Sequence, residues 1–105
     1  MWNAFDGCPA LGTHLPSPMA AADRHGINLL KLVEKMTINH ACIFGLYSRK
    51  GIVMPGTDAD LVTVDSQLNQ TVDSKKDGSR NDFALHQSEI LYGWPNKVIR
   101  GGTSV

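Results

Sequence analysis

The chain has 105 residues, 42% of them hydrophobic, and its ten basic and ten acidic side chains give a formal net charge of zero. This length allows one domain at most, and the balanced charge leaves no basic surface for nucleic acid. No apolar run approaches the ~20 residues of a membrane span, and a secretory signal is not expected. We therefore expect a cytoplasmic protein without nucleic-acid or membrane partners. Cys8 and Cys42 are isolated, which favours two reduced thiols over a pair.

The first helical pattern covers residues 13–25. Leu15, Met19 and Ala22 recur three or four positions apart, which predicts one apolar stripe. The two prolines nearby are tolerable only in a first turn, so the helix is predicted to begin close to them. Gly26 is placed for a left-handed cap.

A second helix is predicted after Asn28, a residue type that caps helix N-termini. Its apolar positions follow the i, i+3, i+4, i+7 pattern, which predicts one buried face: Leu29, Leu32, Val33 and Met36. Asn39 is predicted to cap a third, short helix that ends at Gly45.

Strands are predicted from residue 61 onward. Pro55-Gly56 has the composition of a type II turn, and residues 61–64 then place apolar side chains on both faces of a strand. We expect that strand to lie inside a sheet and not at its margin. Further short strands are predicted at residues 70–73, 90–91 and 97–100, with a polar loop between the first two. Gly101-Gly102 predicts a hairpin turn.

Four stretches in collinear order carry a family resemblance. They are DGCP at residues 6–9, NHACIFGLY at 39–47, KGIVMPGTDADLVTVD at 50–65 and GWPNKVIRG at 93–101. Together they resemble segments of the cyclic amidohydrolases, first the dihydropyrimidinase and hydantoinase group, with dihydroorotase and allantoinase next.

The resemblance implies a mixed α and β chain that is the C-terminal part of such an enzyme. Residues 1–47 would be the last helices of an incomplete (β/α)8 barrel, and residues 48–105 the C-terminal strands of a composite β-sandwich. A complete barrel needs about 250 residues and cannot fit here. The implied reaction is metal-dependent hydrolysis of a carbon–nitrogen bond in a cyclic amide, with dihydropyrimidine or hydantoin rings as the first substrates.

The family is expected to hold two divalent metals, zinc first, with a carbamylated lysine among their ligands. The four histidines of this chain are never two positions apart and do not follow buried strands, so we expect no metal ligand among them: His14, His25, His40 and His86. We therefore expect no cofactor in this chain, no catalytic residue, and no catalysis by the chain alone.

Four other residues are candidates for a functional role. Lys50 is not placed at a barrel strand end, so it is not expected to be the carbamylated lysine. Asp58 and Asp60 are expected to form turn and strand hydrogen bonds and not to act as a catalytic pair. By resemblance, Asp6 occupies the place of an asparagine whose backbone contacts the substrate ring.

Two readings besides an isolated enzyme segment stay open. The chain could be an interaction or oligomerisation module that associates with a full-length or separately encoded barrel subunit, because helices without their barrel would expose apolar faces. Alternatively, Met1 is an internal methionine of a longer gene. In the full-length enzyme we expect a homo-oligomer.

Overall fold

The computed structural model describes residue 7, residues 9–76, residue 80 and residues 83–105. Within these residues helices come first and an antiparallel sheet follows, which confirms the predicted mixture of helix and strand. The elements are α1 (Pro16–Arg24), α2 (Leu29–Glu34), a π-helical turn (Lys35–Asn39), α3 (His40–Ile43), β1 (Leu61–Thr71), β2 (Ile90–Arg100) and β3 (Thr103–Ser104). The predictions that concern Asp6, Cys8 and most of the polar loop lie outside the described residues.

Helix α1 forms where the sequence predicts it. Pro16 stands at its beginning, where a backbone N–H would have no intrahelical partner. At its end Gly26 has φ +64°, and the N–H of Ile27 donates to the carbonyl of Ala22 at 2.8 Å. The predicted left-handed cap is therefore confirmed.

Met19 brings α1 against the sheet at Gly93. Gly93 has φ +79°, and a Cβ there would lie 2.6 Å from the sulfur of Met19. Only glycine combines that backbone conformation with so close an approach. Helix α1 and strand β2 thus approach each other most easily where the strand has no side chain.

The second helix begins as predicted and ends differently. Asn28 caps α2, because its Oδ1 accepts a hydrogen bond from the N–H of Leu30 at 2.8 Å. The helix then continues through the π-helical turn into α3. The prediction that Asn39 caps a separate helix is wrong, since Asn39 has helical φ −65° and ψ −41° and its side chain makes no cap hydrogen bond.

The predicted burial of the α2 stripe is also wrong. Leu29 and Val33 are 49% and 48% exposed, because α2 packs only against α1 and the π-helical turn within the described residues. Gly45 follows α3 with φ +68°, as the sequence predicts. The other two residues of the stripe, Leu32 and Met36, are partly buried. The amphipathic pattern thus identified the helix but not the degree of its burial.

The sheet has three antiparallel strands in the order β1, β2, β3. Strand β1 pairs with β2 from Leu61 opposite Ile99 to Thr71 opposite Ile90. The prediction that β1 lies inside the sheet is wrong, because β2 is the middle strand and β1 lies at an edge of the described sheet. β-branched residues favour a strand, but they do not specify how many neighbours it has.

The strands are longer than predicted. Residues 61–64 and 70–73 were predicted as separate strands, and β1 joins most of both through a bulge between Asp65 and Asn69. Strand β2 likewise unites the two short strands predicted around the GWP motif. The predicted hairpin at Gly101-Gly102 is confirmed, since both residues have positive φ and lead into β3.

The core lies between α1 and one half of the sheet. Its most buried members are Val72, Leu91 and Trp94, at 0%, 3% and 7% exposure. The bulge in β1 lets Leu68 pack against this cluster, and the indole N–H of Trp94 donates to the carbonyl of Leu91 at 2.7 Å. None of the helices in the described segments is long and apolar enough to cross a membrane.

Candidate functional site

Four charged side chains meet where the helices give way to the sheet, and we call them the Lys50 cluster: Arg49, Lys50, Asp58 and Asp60. The ammonium group of Lys50 contacts the Asp60 carboxylate and lies 3.1 Å from Oδ2 of Asp58. Arg49 Nη2 lies 3.2 Å from the same oxygen of Asp58. The backbone N–H of Gly101 donates to Oδ1 of Asp60 at 2.7 Å.

A predicted turn brings these groups together. Gly56 has φ +92°, and the N–H of Thr57 donates to the carbonyl of Met54 at 3.1 Å, which confirms the turn at Pro55-Gly56. The chain therefore returns after Lys50 and presents Asp58 to it. In this way the cluster ties the end of the helical region to the loop before β1 and to the β2–β3 hairpin.

Hydrogen bonds within the cluster shift three pKa values. Those to Asp60 and Asp58 raise the pKa of Lys50. Lys50, followed by Arg49, lowers the pKa of Asp58, while Lys50 and the Gly101 N–H lower the pKa of Asp60. All three groups stay charged near neutral pH, so none of them is suited to exchange a proton there.

An apolar groove opens beside the Lys50 cluster, between the helical region and β1. It has a volume of about 650 Å³. Charged groups stand at one end and apolar side chains form most of its wall: Val33, Met36, Ala41, Phe44, Leu46, Ile52, Val53, Leu61 and Val62. The groove is concave and apolar with a few polar groups, a combination found in binding surfaces.

The described residues do not fit the paired metals that the resemblance implies. No group of three or more His, Cys, Asp or Glu side chains among them could hold a metal ion. Asp58 and Asp60 both contact Lys50, and each is therefore already bound by a cationic side chain. A metal would have to displace those cations, so the two carboxylates do not form an open coordination site.

The histidines are dispersed, as their sequence spacing predicts. His14, His25 and His40 are exposed, and His86 is partly buried. Asp6, the substrate contact expected by resemblance, lies outside the described residues and stays a prediction. Cys42 is a free, exposed thiol.

One hydrogen-bonded group of side chains is not predicted by the sequence: Ser17, His86 and Glu89. Ser17 Oγ lies 2.9 Å from His86 Nε2, and His86 Nδ1 lies 3.2 Å from Glu89 Oε2. The only sequence signal is the three-residue spacing of His86 and Glu89. Ser17 stands 69 positions earlier in the chain, and no local pattern connects it to them.

The fold and the elements around this region are those of hydantoinases. The chain superposes on L-hydantoinase (dihydropyrimidinase) from Arthrobacter aurescens with a TM-score of 0.90 and 30% sequence identity, covering 99% of this chain and 23% of that one. A family model described as the amidohydrolase family matches residues 6–105. The chain belongs to the amidohydrolase family.

Curated relatives agree with the resemblance drawn from the motifs, which is thereby confirmed. The chain is 31% identical to L-hydantoinase of Paenarthrobacter aurescens over an alignment of 106 positions that covers 100% of this chain and 23% of the relative. It is 36% identical to dihydroorotase of Pelotomaculum thermopropionicum over 76 residues, which are 72% of this chain and 17% of the relative. The chain thus spans less than a quarter of the length of these relatives.

Proposed function

We propose that this chain forms the late barrel helices and the C-terminal strands of a cyclic amidohydrolase of the dihydropyrimidinase and hydantoinase type. Residues 1–47 would belong to the barrel and residues 48–105 to the composite sandwich. The enzyme would hydrolyse a carbon–nitrogen bond in a cyclic amide ring. One observation carries the proposal: 99% of the chain superposes on L-hydantoinase with a TM-score of 0.90.

The exposed surface of the chain supports this assignment. A compact protein of 11.4 kDa exposes about 5,800 Å² by the usual scaling of surface with mass, whereas this chain exposes 8302 Å². Its radius of gyration is 15.5 Å, against about 13 Å for a compact domain of this length. The additional surface is what a segment would present if further parts of an enzyme cover it.

Exposed apolar side chains include residues on strand β1 and just after helix α3, where the rest of the proposed enzyme would cover them. Val62 and Val64 on β1 are 51% and 38% exposed, and Phe44 after α3 is 71% exposed. The outer edge of β1 has no partner strand among the described residues. In the proposed enzyme, another element would cover that edge.

The metals belong to the proposed enzyme and not to the described part of this chain. Two divalent ions, zinc first, would be held by residues outside it, with a carbamylated lysine that is not Lys50. When bound, such ions polarise an amide carbonyl and activate a water molecule. The described residues would contribute the wall around that centre, and Asp6 remains the proposed backbone contact to the ring.

A graft tests the proposal directly. The 105 residues replace the matching segment of Paenarthrobacter aurescens L-hydantoinase, and zinc-dependent opening of hydantoin is measured. We expect the graft to retain activity, reduced by up to about 100-fold if the site shifts by about 1 Å. The control is the same enzyme with the segment deleted, which should be inactive.

Two further results complete the test. The 105-residue chain alone, supplied with zinc or manganese, is expected to open neither hydantoin nor dihydrouracil. A graft that unfolds cooperatively but shows no ring opening would contradict the assignment.

The exposed apolar groove favours a second candidate, an interaction module. In that case the chain would bind a separately supplied barrel subunit without being joined to it. Mixing the chain with the deleted hydantoinase separates the candidates: co-elution from a sizing column supports a module, and failure to co-elute while the graft is active supports a covalent segment.

A further inference from the structure

The hydrogen bonds between Ser17, His86 and Glu89 have a defined direction. A carboxylate only accepts hydrogen bonds, so the Nδ1 that faces Glu89 at 3.2 Å carries the proton. In the neutral imidazole Nε2 is then an acceptor. It lies 2.9 Å from Ser17 Oγ, so the serine hydroxyl donates to it.

The turn that carries the imidazole is fixed by the sheet. His86 and Glu89 belong to a tight turn in which the N–H of Glu89 donates to the carbonyl of His86 at 2.9 Å. Val72, which is fully buried, accepts from the N–H of Ser88 at 2.9 Å and donates to the carbonyl of Glu89 at 2.8 Å. These bonds hold the turn in place beside the buried core.

Backbone strain occurs at the same turn. Ser88 has φ +67°, and among the described residues it is the one residue other than glycine with positive φ. That conformation is strained for a residue with a Cβ atom, and such residues concentrate at functional sites. Ser17 approaches from the first turn of α1, so two fixed elements hold the hydroxyl against the imidazole.

From this geometry we propose that Ser17, His86 and Glu89 form a nucleophilic serine site that accepts an acyl or phosphonyl group from an activated ester. Ser17 is the nucleophile and His86 the general base. Glu89 is a positioning residue that fixes the tautomer of His86. The distances match those that couple a nucleophile, its base and a third orienting group. The proposal is independent of the ring-opening reaction proposed above.

The proposed reaction consumes only an ester and water. As Ser17 Oγ bonds to the carbonyl carbon, its proton moves to His86 Nε2. The ester carbon–oxygen bond then breaks, and the leaving oxygen takes the electron pair and the proton from the imidazolium. Water attacks the acyl-serine by the same path, which regenerates the hydroxyl and releases a carboxylic acid.

The environment of Ser17 restricts which esters react. Pro16 and Pro18 have no N–H, and the N–H of Ser17 donates to the carbonyl of Thr13 at 3.0 Å. The turn of α1 that carries the serine therefore offers no free N–H from these three residues to an oxyanion. Losing one oxyanion donor costs about 10²–10³ in rate, so the site suits substrates with good leaving groups and not amides.

A fluorophosphonate probe tests the nucleophile. Ser17 is expected to form the phosphonylated adduct, with fluoride leaving with the electron pair of its bond to phosphorus, and peptide mass spectrometry locates the label. Ser17→Ala should abolish labelling, whereas Ser66→Ala, at an exposed serine in the β1 bulge, should not change it. His86→Gln should slow labelling about 100-fold or more, the typical contribution of a general base.

A spectroscopic measurement on the unmodified chain keeps the test independent of how the variants fold. Imidazole nitrogen shifts should show the Nδ1-protonated tautomer of His86, and Glu89→Gln should lose that preference while retaining label at a reduced rate. Three results would overturn the proposal: no label at Ser17, equal labelling in about 6 M guanidinium, or an Nε2-protonated imidazole.

Discussion

At the scale of single residues, Lys50 is the one cation of the Lys50 cluster that contacts both carboxylates. Its ammonium group bridges two carboxylates that belong to the loop before β1, and one of those carboxylates also holds the β2–β3 turn. The side chains of Lys50, Asp58 and Asp60 are 36–41% exposed, so water and salt screen these interactions. Their effect should be to order the loop more than to stabilise the fold.

The pKa shifts in the Lys50 cluster define a window of pH. The pKa values of Asp58 and Asp60 lie below their ordinary value of 3.8. The stability that these two carboxylates contribute to the fold is therefore present above pH 3.8 and is lost as the pH falls through the lowered values. The pKa of Lys50 lies above its ordinary value of 10.5. The stability that Lys50 contributes to the fold is therefore present below pH 10.5 and is lost as the pH rises through the raised value. The cluster is therefore effective between these limits.

Replacing Lys50 should weaken the loss of stability at acid pH, because Lys50 is the largest cause of both lowered carboxyl pKa values. We expect Lys50→Met to lower the unfolding temperature at pH 7 by a few degrees at most, and to leave it less dependent on pH between neutrality and about pH 3. Thermal unfolding followed by circular dichroism measures both effects. Lys31→Met, at an exposed lysine of α2, is the matched control. Identical pH dependence in all three proteins would contradict the assignment.

At the scale of elements, the π-helical turn and the loop after Lys50 fit against each other at Gly51. Gly51 has φ +89°, and a Cβ there would lie 2.5 Å from Ala41 Cβ and 3.1 Å from Ile38 Cα. Backbone and a short side chain cannot move aside as a long side chain could. The close approach of loop and helix thus depends on the missing side chain.

Gly51→Ala should therefore be destabilising. The left-handed conformation costs about 1–2 kcal/mol for alanine, and overpacking adds roughly 1–3 kcal/mol. Gly56→Ala is a close control, because Gly56 has φ +92° with nothing within 4 Å of an added Cβ. Urea unfolding should show a larger loss for Gly51→Ala than for Gly56→Ala. Equal losses would mean that conformation alone matters at Gly51.

Sequence patterns predicted the elements well where the signal is local. Helix α1, the caps at Asn28 and Gly26, and the turn at Pro55-Gly56 depend on neighbouring residues, and all of them are confirmed. The strand order, the bulge in β1 and the continuation of the helix past Asn39 depend on partners distant in sequence. Ser17 and His86 meet through the same long-range packing, so no local pattern could place them together.

At the scale of the whole molecule, the chain exposes more surface than a compact domain of its mass would. The buried cluster around Val72 and Trp94 accounts for one half of the sheet, while the other half and the face of α2 are uncovered. Unpaired strand edges and contiguous apolar surfaces both favour association. The family resemblance predicted uncovered faces, but the periodicity of α2 alone predicted a buried one.

The isolated chain is expected to self-associate as its concentration rises. Light scattering after size exclusion should show a mass that increases with loading. Val62→Thr combined with Val64→Thr removes apolar surface while keeping strand propensity, and should shift the chain toward monomer. Thr63→Ser, between them on the strand, is the control. A monomer at every concentration would contradict this expectation.

The contact between Met19 and Gly93 also makes the molecule sensitive to oxidants. Peroxide converts a thioether to a sulfoxide, which adds a polar oxygen to a formerly apolar atom. The sulfur of Met19 packs closely against Gly93, so an added oxygen would disturb the contact between α1 and β2. Ser17 lies on the same helix. A shift of α1 caused by oxidation of Met19 would therefore also move the Ser17 hydroxyl away from the His86 imidazole.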